Sequence, residues 1–305
     1  MKNIYFALIF VTTAFFFSCE KTEDIDDFPL VTPQLVLNCM FSPDSSWEFQ
    51  LSKSLSVLDN AEIEYLKNAT VKLYKNNQLI NTITETNKKT FYVLQNNTAE
   101  FGAKYKVEIS RKGYKDISST STLPTMVEIS GLTKSVKDSS TYWSQHGTWG
   151  ELTGHINVKF NDSKAGDNYY MLSIFSIDTN TYYNYPDTTI SYQEININYH
   201  INDETDNPAI EIQSEQEYIF SDKYFSGQSI EISAYIEDWN FTPNKTFVVV
   251  LYSLSREAYL YKRSLALYYE RGENPFSEPV QVYGNIENGF GIFGGYTMDV
   301  KSITF

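Results

Sequence analysis

The chain is poor in the residues that most often carry chemistry. Its 305 residues include two cysteines and three histidines, His146, His155 and His200. The histidines are isolated from one another and no cysteine stands near a pair of them, whereas zinc sites show close pairs such as His-x3-His. No metal and no cofactor is expected. A serine nucleophile needs a base and an orienting acid beside it, and the sequence has no Gly-x-Ser-x-Gly elbow. Asp203-Glu204-Thr205-Asp206-Asn207 offers hard oxygen ligands, but it lacks the glycine and the spacing of an EF-hand loop and reads as a solvated acidic loop. The expectation is a protein that is not an enzyme. Positive charge is also short, with 24 Lys and Arg against 38 Asp and Glu and a net charge of −14. Such a surface repels nucleic acid and anionic lipid headgroups, so nucleic acid is excluded as a partner.

Long apolar runs are missing except at the start. There, Lys2 precedes an uncharged, largely apolar stretch from Ile4 to Phe17, and the small residue Ser18 precedes Cys19. This is the layout of a secretory signal. The stretch is shorter than the about 20 apolar residues of a transmembrane helix. Phe16-Phe17-Ser18-Cys19 resembles a lipobox, with Phe16 and Ser18 departing from the Leu and Gly or Ala favoured at those positions. The resemblance implies cleavage between Ser18 and Cys19 and lipid on Cys19, with the outer-membrane bilayer as the partner of that lipid. Residues 19–29, opening Cys19-Glu20-Lys21-Thr22-Glu23-Asp24, carry no core-forming pattern and read as an acidic flexible tether. With Cys19 taken by lipid, Cys39 has no disulfide partner. It stands in the apolar run Leu35-Val36-Leu37-Asn38-Cys39-Met40-Phe41, the setting of a buried structural thiol.

What is abundant is strand-forming residues: 24 Tyr and 20 Phe, with plentiful Thr, Ile and Val. The fold class predicted is mainly β. Residues 30–124 hold about seven short strands at the spacing of an immunoglobulin- or fibronectin-like sandwich, predicted at 34–41, 47–53, 70–75, 78–85, 89–94, 104–110 and 116–122. Tyr105, Val107 and Ile109 alternate with Lys104, Lys106 and Glu108, the mark of a half-buried strand. Asn76-Asn77 signals a two-residue turn, since Asn tolerates positive φ. Leu123-Pro124-Thr125 marks a boundary, because proline donates no ladder hydrogen bond. Residues 125–305 form a larger β-rich domain, with strands predicted at 154–161, 169–178, 191–201, 217–220, 228–236 and 246–253. One helix is predicted over 254–271, capped by Ser253 and stopped by Gly272 and Pro275. Its stripe is Leu254, Ala258, Tyr261, Leu265 and Tyr268.

The C-terminal segment is the most distinctive. The helix leads to Asn274-Pro275-Phe276-Ser277-Glu278-Pro279-Val280 and then to Gly284-Asn285-Ile286-Glu287-Asn288-Gly289-Phe290-Gly291-Ile292-Phe293-Gly294-Gly295-Tyr296. With Asn68-Ala69-Thr70-Val71-Lys72-Leu73-Tyr74 and the lipobox, these residues resemble a family of Bacteroidetes outer-membrane lipoproteins whose shared domain has no assigned function. Such proteins are often encoded beside TonB-dependent receptors. The resemblance implies a cell-surface lipoprotein acting as accessory partner of such a transporter in nutrient capture. It carries no catalytic residues with it. Read physically, the glycines permit positive φ and close backbone approach, and Phe290, Ile292 and Phe293 are expected as buried anchors in a tight closing turn.

Candidate binding residues are aromatic. Trp143, Trp149, Tyr182, Tyr183 and Tyr185 lie among Gly147, Gly150, Asn180 and Asn184. Aromatic rings in polar surroundings stack on sugars or anchor interfaces. The alternative function is therefore a stand-alone glycan- or peptide-binding surface module.

Overall fold

Alternation of apolar and polar side chains sets most of the strands. In the N-terminal part these are β1 (Leu35–Phe41), β2 (Trp47–Lys53), β3 (Thr70–Lys75), β4 (Gln78–Ile83), β5 (Phe91–Leu94), β6 (Lys104–Ser110) and β7 (Ile117–Thr122). They belong to a computed structural model that describes residues 32–56, 61–84, 91–95, 98–144, 147–164, 166–183, 191–199, 207–213, 217–241, 244–272 and 278–305. The leader 1–18, the tether 19–29, Tyr185, His146, His200 and the acidic loop 203–206 lie outside the described residues. In β1, Leu35, Leu37, Cys39 and Phe41 point inward, and in β6 Tyr105, Val107 and Ile109 do. Asn76 and Asn77 take φ of 48° and 67°, the two positive values that a type I′ hairpin turn requires between β3 and β4. Strands β1-β2-β5 face the sheet β4-β3-β6-β7 across one core. This is the sandwich that the strand spacing predicts. Phe41 stacks on Trp47 at 4.5 Å, and Tyr105 lies 4.9 Å from Trp47.

The C-terminal part contains β8 (Ile129–Ser144), β9 (Gly147–Asn161), β10 (Tyr169–Tyr183), β11 (Ser191–Tyr199), β12 (Ile210–Gln213), β13 (Tyr218–Ser221), β14 (Ser229–Phe241), β15 (Thr246–Leu254), helix α1 (Arg256–Gly272) and β16 (Phe290–Thr304). The sheet β14-β9-β8 covers a second core against β12-β13-β10-β15. Phe160, Tyr170, Phe220 and Phe247 fill it. The chain is thus mainly β with one helix near the C-terminus. Among the described residues, no helix is long and apolar enough to cross a membrane.

The glycine-rich segment is a strand, not a closing turn. β16 pairs parallel with β1, from Val36↔Phe290 to Phe41↔Gly295. It then pairs antiparallel with β15, from Leu254↔Tyr296 to Thr246↔Thr304. The last strand thereby joins both parts into one sheet of order β12-β13-β10-β15-β16-β1-β2-β5. Phe293 is buried in the N-terminal core beside Phe41 at 4.9 Å, while Ile303 packs on the C-terminal core. Ile292 is buried as expected. Phe290, the first residue of the strand, is instead 52 % exposed.

Helix α1 starts two residues later than predicted. Its N-cap is Ser255, not Ser253: Ala258 N donates to Ser255 Oγ at 3.1 Å, satisfying one of the orphan amides of the first turn. Ser255 Oγ also accepts from Gly295 N at 3.2 Å, which fastens the helix start to β16. The buried face agrees in part, since Leu254 and Ala258 of the predicted stripe are buried. Ala258 and Tyr259 are buried, and Leu260, Ala266 and Leu267 pack beneath the helix, whereas Tyr268 is 49 % exposed. The helix packs on the long sheet, and Tyr283 N donates to its Ser264 Oγ at 2.8 Å, so the segment before β16 holds it too.

Candidate functional site

An open cleft of about 790 Å3 forms where three segments distant in sequence meet. One is the linker 122–130, which runs from β7 into β8. Pro124 ends the β7 ladder, and Leu123 is pinned by its amide to Ala103 O at 3.1 Å and by its carbonyl, which accepts from Gly102 N at 2.8 Å. Further along, Val127 N donates to Ser253 Oγ at 3.2 Å and Ile129 N to Asp299 Oδ2 at 2.8 Å. The linker is therefore a fixed wall.

The second wall is the connection between β9 and β10. Buried Asp162 holds it from below, accepting from the Tyr170 hydroxyl and from Gly227 N at 2.6 Å. Burial pushes the Tyr170 phenol well above its ordinary pKa, and the Asp162 carboxylate adds to that. Asn168 Nδ2 donates to Ser163 O at 2.7 Å and to Asp222 Oδ2 at 3.1 Å, and Asp222 N returns a bond to Asn168 O at 3.0 Å. The third wall is the start of α1. Arg256 is exposed, and Glu257 Oε2 accepts from Ser121 Oγ at 2.8 Å. Tyr169 stacks on Tyr259 with centroids 4.6 Å apart. Burial raises the Tyr169 pKa, Asp167 raises it further, and Arg256 opposes both.

A second polar cluster secures α1 to the sheet. Glu211 on β12 accepts from Ser221 N at 3.1 Å, from Ser221 Oγ at 2.5 Å and from Tyr259 OH at 2.5 Å, with Arg263 Nε 3.3 Å away. Burial raises the Glu211 pKa, but the bonds from Ser221 and Tyr259 outweigh it and leave the carboxyl below its ordinary range. The geometry is that of a clasp between helix and sheet.

The aromatic residues singled out by sequence lie elsewhere. The ladder pairs Trp143 with Thr148 and Trp149 with Tyr142 at the end of the β8–β9 hairpin. Tyr182 stands opposite Tyr192 and Tyr183 opposite Ser191 at the end of the β10–β11 hairpin. Trp149 is twelve residues along β9 from Asn161, about 40 Å at the usual strand rise, so the hairpin ends and the cleft are separate places. His155 stands between Ser135 and Tyr235 in the three-stranded sheet, its ring 5.4 Å from that of Tyr235. Cys39 is a free, buried thiol whose pKa burial pushes far up, so it stays protonated and unreactive. Among the described residues, no three His, Cys, Asp or Glu side chains gather as a metal-binding set. The cleft residues escaped sequence reading because no local spacing marks them: 122–130, 161–170 and 253–257 meet only through the fold.

Residues 21–302 match the family described as Domain of unknown function (DUF4249). No curated protein matches the chain.

Proposed function

We propose, for a chain that belongs to the DUF4249 family, a role as a lipid-anchored outer-membrane protein facing the cell exterior. There it acts as a non-enzymatic accessory partner of a TonB-dependent transporter in nutrient capture. The observation that carries this reading is the N-terminal order of parts: an apolar leader, Ser18-Cys19, and an acidic stretch, all ahead of the first strand at Leu35. Each buried methylene of an acyl chain adds about 0.8 kcal/mol of membrane affinity, so several chains on Cys19 make a durable anchor. Residues 19–29 extended would reach at most about 40 Å, at ~3.3–3.6 Å per residue. That length lets the folded body meet a neighbouring membrane protein while staying tethered. The ends of the β8–β9 and β10–β11 hairpins supply aromatic contact candidates of the kind that anchor interfaces.

A stand-alone surface binding module is the second reading, and the cleft favours it. The two separate in the cell. Deleting the gene should impair uptake of a nutrient, and a copy carrying Cys19→Ser should fail to restore it. Restoration by the unlipidated copy, or unchanged uptake of every nutrient in the deletion strain, would contradict the transporter role.

A further inference from the structure

We infer that the cleft between the linker 122–130, the β9–β10 connection and the start of α1 is a binding site for a neutral, hydroxyl-rich ligand, a short oligosaccharide. The inference rests on the second reading, a surface binding module, and does not need the transporter partnership. Its volume of about 790 Å3 falls within the roughly 300–1,000 Å3 of small-molecule sites.

The chemistry of the walls selects the ligand class. Arg256 presents hydrogen-bond donors, while Glu128, Asp167 and Glu257 present acceptors; both Asn168 amide hydrogens are already spent on Ser163 and Asp222. One opening carries both kinds of group, so an anionic ligand meets three carboxylates and a small cation meets a guanidinium. A sugar hydroxyl donates and accepts at the same oxygen, and vicinal hydroxyls match the two-pronged faces of carboxylate and guanidinium. Sugar rings also carry C–H faces that need apolar support. Pro124, Met126 and Leu254 line the cleft together with Tyr169, whose ring is steadied by its stack on Tyr259.

The walls are held before any ligand arrives. Asp162, Asn168 and Asp222 bind the β9–β10 connection through bonds of 2.6–3.1 Å. Ser121 holds Glu257, and the linker is bonded to β15 through Ser253 and to β16 through Asp299. Polar groups fixed in advance lower the ordering cost of binding.

The test uses the mature chain in isothermal titration against neutral gluco-, xylo-, manno- and N-acetylglucosamine oligosaccharides, with spermidine and a tri-alanine peptide as charged comparators. The expected result is millimolar or tighter binding of at least one oligosaccharide series. Arg256→Met and Asp167→Ala, both surface changes, should each weaken it about tenfold or more, while Trp143→Ala and Trp149→Ala leave it unchanged. No binding of any neutral oligosaccharide at millimolar concentration would overturn the proposal. So would binding that survives the cleft substitutions, binding lost on changing the tryptophans, or preferential binding of spermidine or the peptide. A failed transporter phenotype with intact oligosaccharide binding would leave this inference standing.

Discussion

Gly291 and Gly294 show how single residues fix this fold. Gly291 has φ of 105°, and a Cβ there would run into the Leu37 carbonyl oxygen across the β1–β16 pair. Gly291→Ala should destabilise the protein by roughly 3 kcal/mol or more, combining backbone strain of about 1–3 kcal/mol with overpacking of about 1–3 kcal/mol. Urea unfolding measures this directly, and a loss under 1 kcal/mol would mean β1 and β16 do not approach so closely. At Gly294 a Cβ would meet Ala258 Cβ and Met40 Sδ at 3.1 Å, so the glycine sets the height of α1 above the sheet. Glu211 supplies a prediction in pH. Its folded pKa is depressed below 4.5, so its contribution is present above the ordinary glutamate value and is lost as pH falls through the folded value. Glu211→Gln should lower stability at neutral pH by ~1–3 kcal/mol. It should also flatten the loss of stability below about pH 4.5. An unchanged acid slope in the variant would remove Glu211 as a source of that dependence.

At the scale of elements, α1 depends on Ser255 twice, as cap and as acceptor for Gly295. Ser255→Ala should cost about 0.5–2 kcal/mol for the cap and more for the orphaned Gly295 amide, with Ser255→Thr restoring most of it. Thermal unfolding followed at 222 nm checks both, and equal stability of the Ala variant would place the cap elsewhere. Period-two alternation made β1, β3 and β6 readable in the sequence to within a residue, and Asn76-Asn77 marked its hairpin. The same rule missed β8, because Thr133–Ser139 is exposed on both faces and shows no alternation. Lys134 and Lys137 there, with a bulge beside Val136, suit an edge strand that resists pairing with another chain. β16 was hidden by its glycines, which read as turn residues and serve instead to admit β1 and α1 at short range. The helix was legible, and its buried face in part: Leu254 and Ala258 are buried, as the stripe predicts. Tyr259, outside that stripe, is buried too, and Tyr268 at its far end is 49 % exposed.

For the molecule as a whole, β16 is the element shared by both cores. A chain ending before Phe290 would lose Phe293 from one core, the partner strand of both β1 and β15, and the acceptor that holds Ser255 N. It should fail to fold, with near-UV circular dichroism lost across both parts, whereas the intact chain should unfold in one transition. An isolated fragment of residues 32–124 with native near-UV signal would contradict this. The cleft belongs to this scale too. Its walls come from three places in the chain, and only the assembled fold shows that Arg256, Asn168 and Glu128 share one opening.

The proposed function turns on a partner in the membrane. Gentle detergent extraction of the protein from its native cells, followed by mass spectrometry of what accompanies it, is the direct test. The expected result is a TonB-dependent receptor recovered in stoichiometric amount. Recovery of the protein alone, under extraction that leaves a known receptor–lipoprotein complex intact, would contradict it.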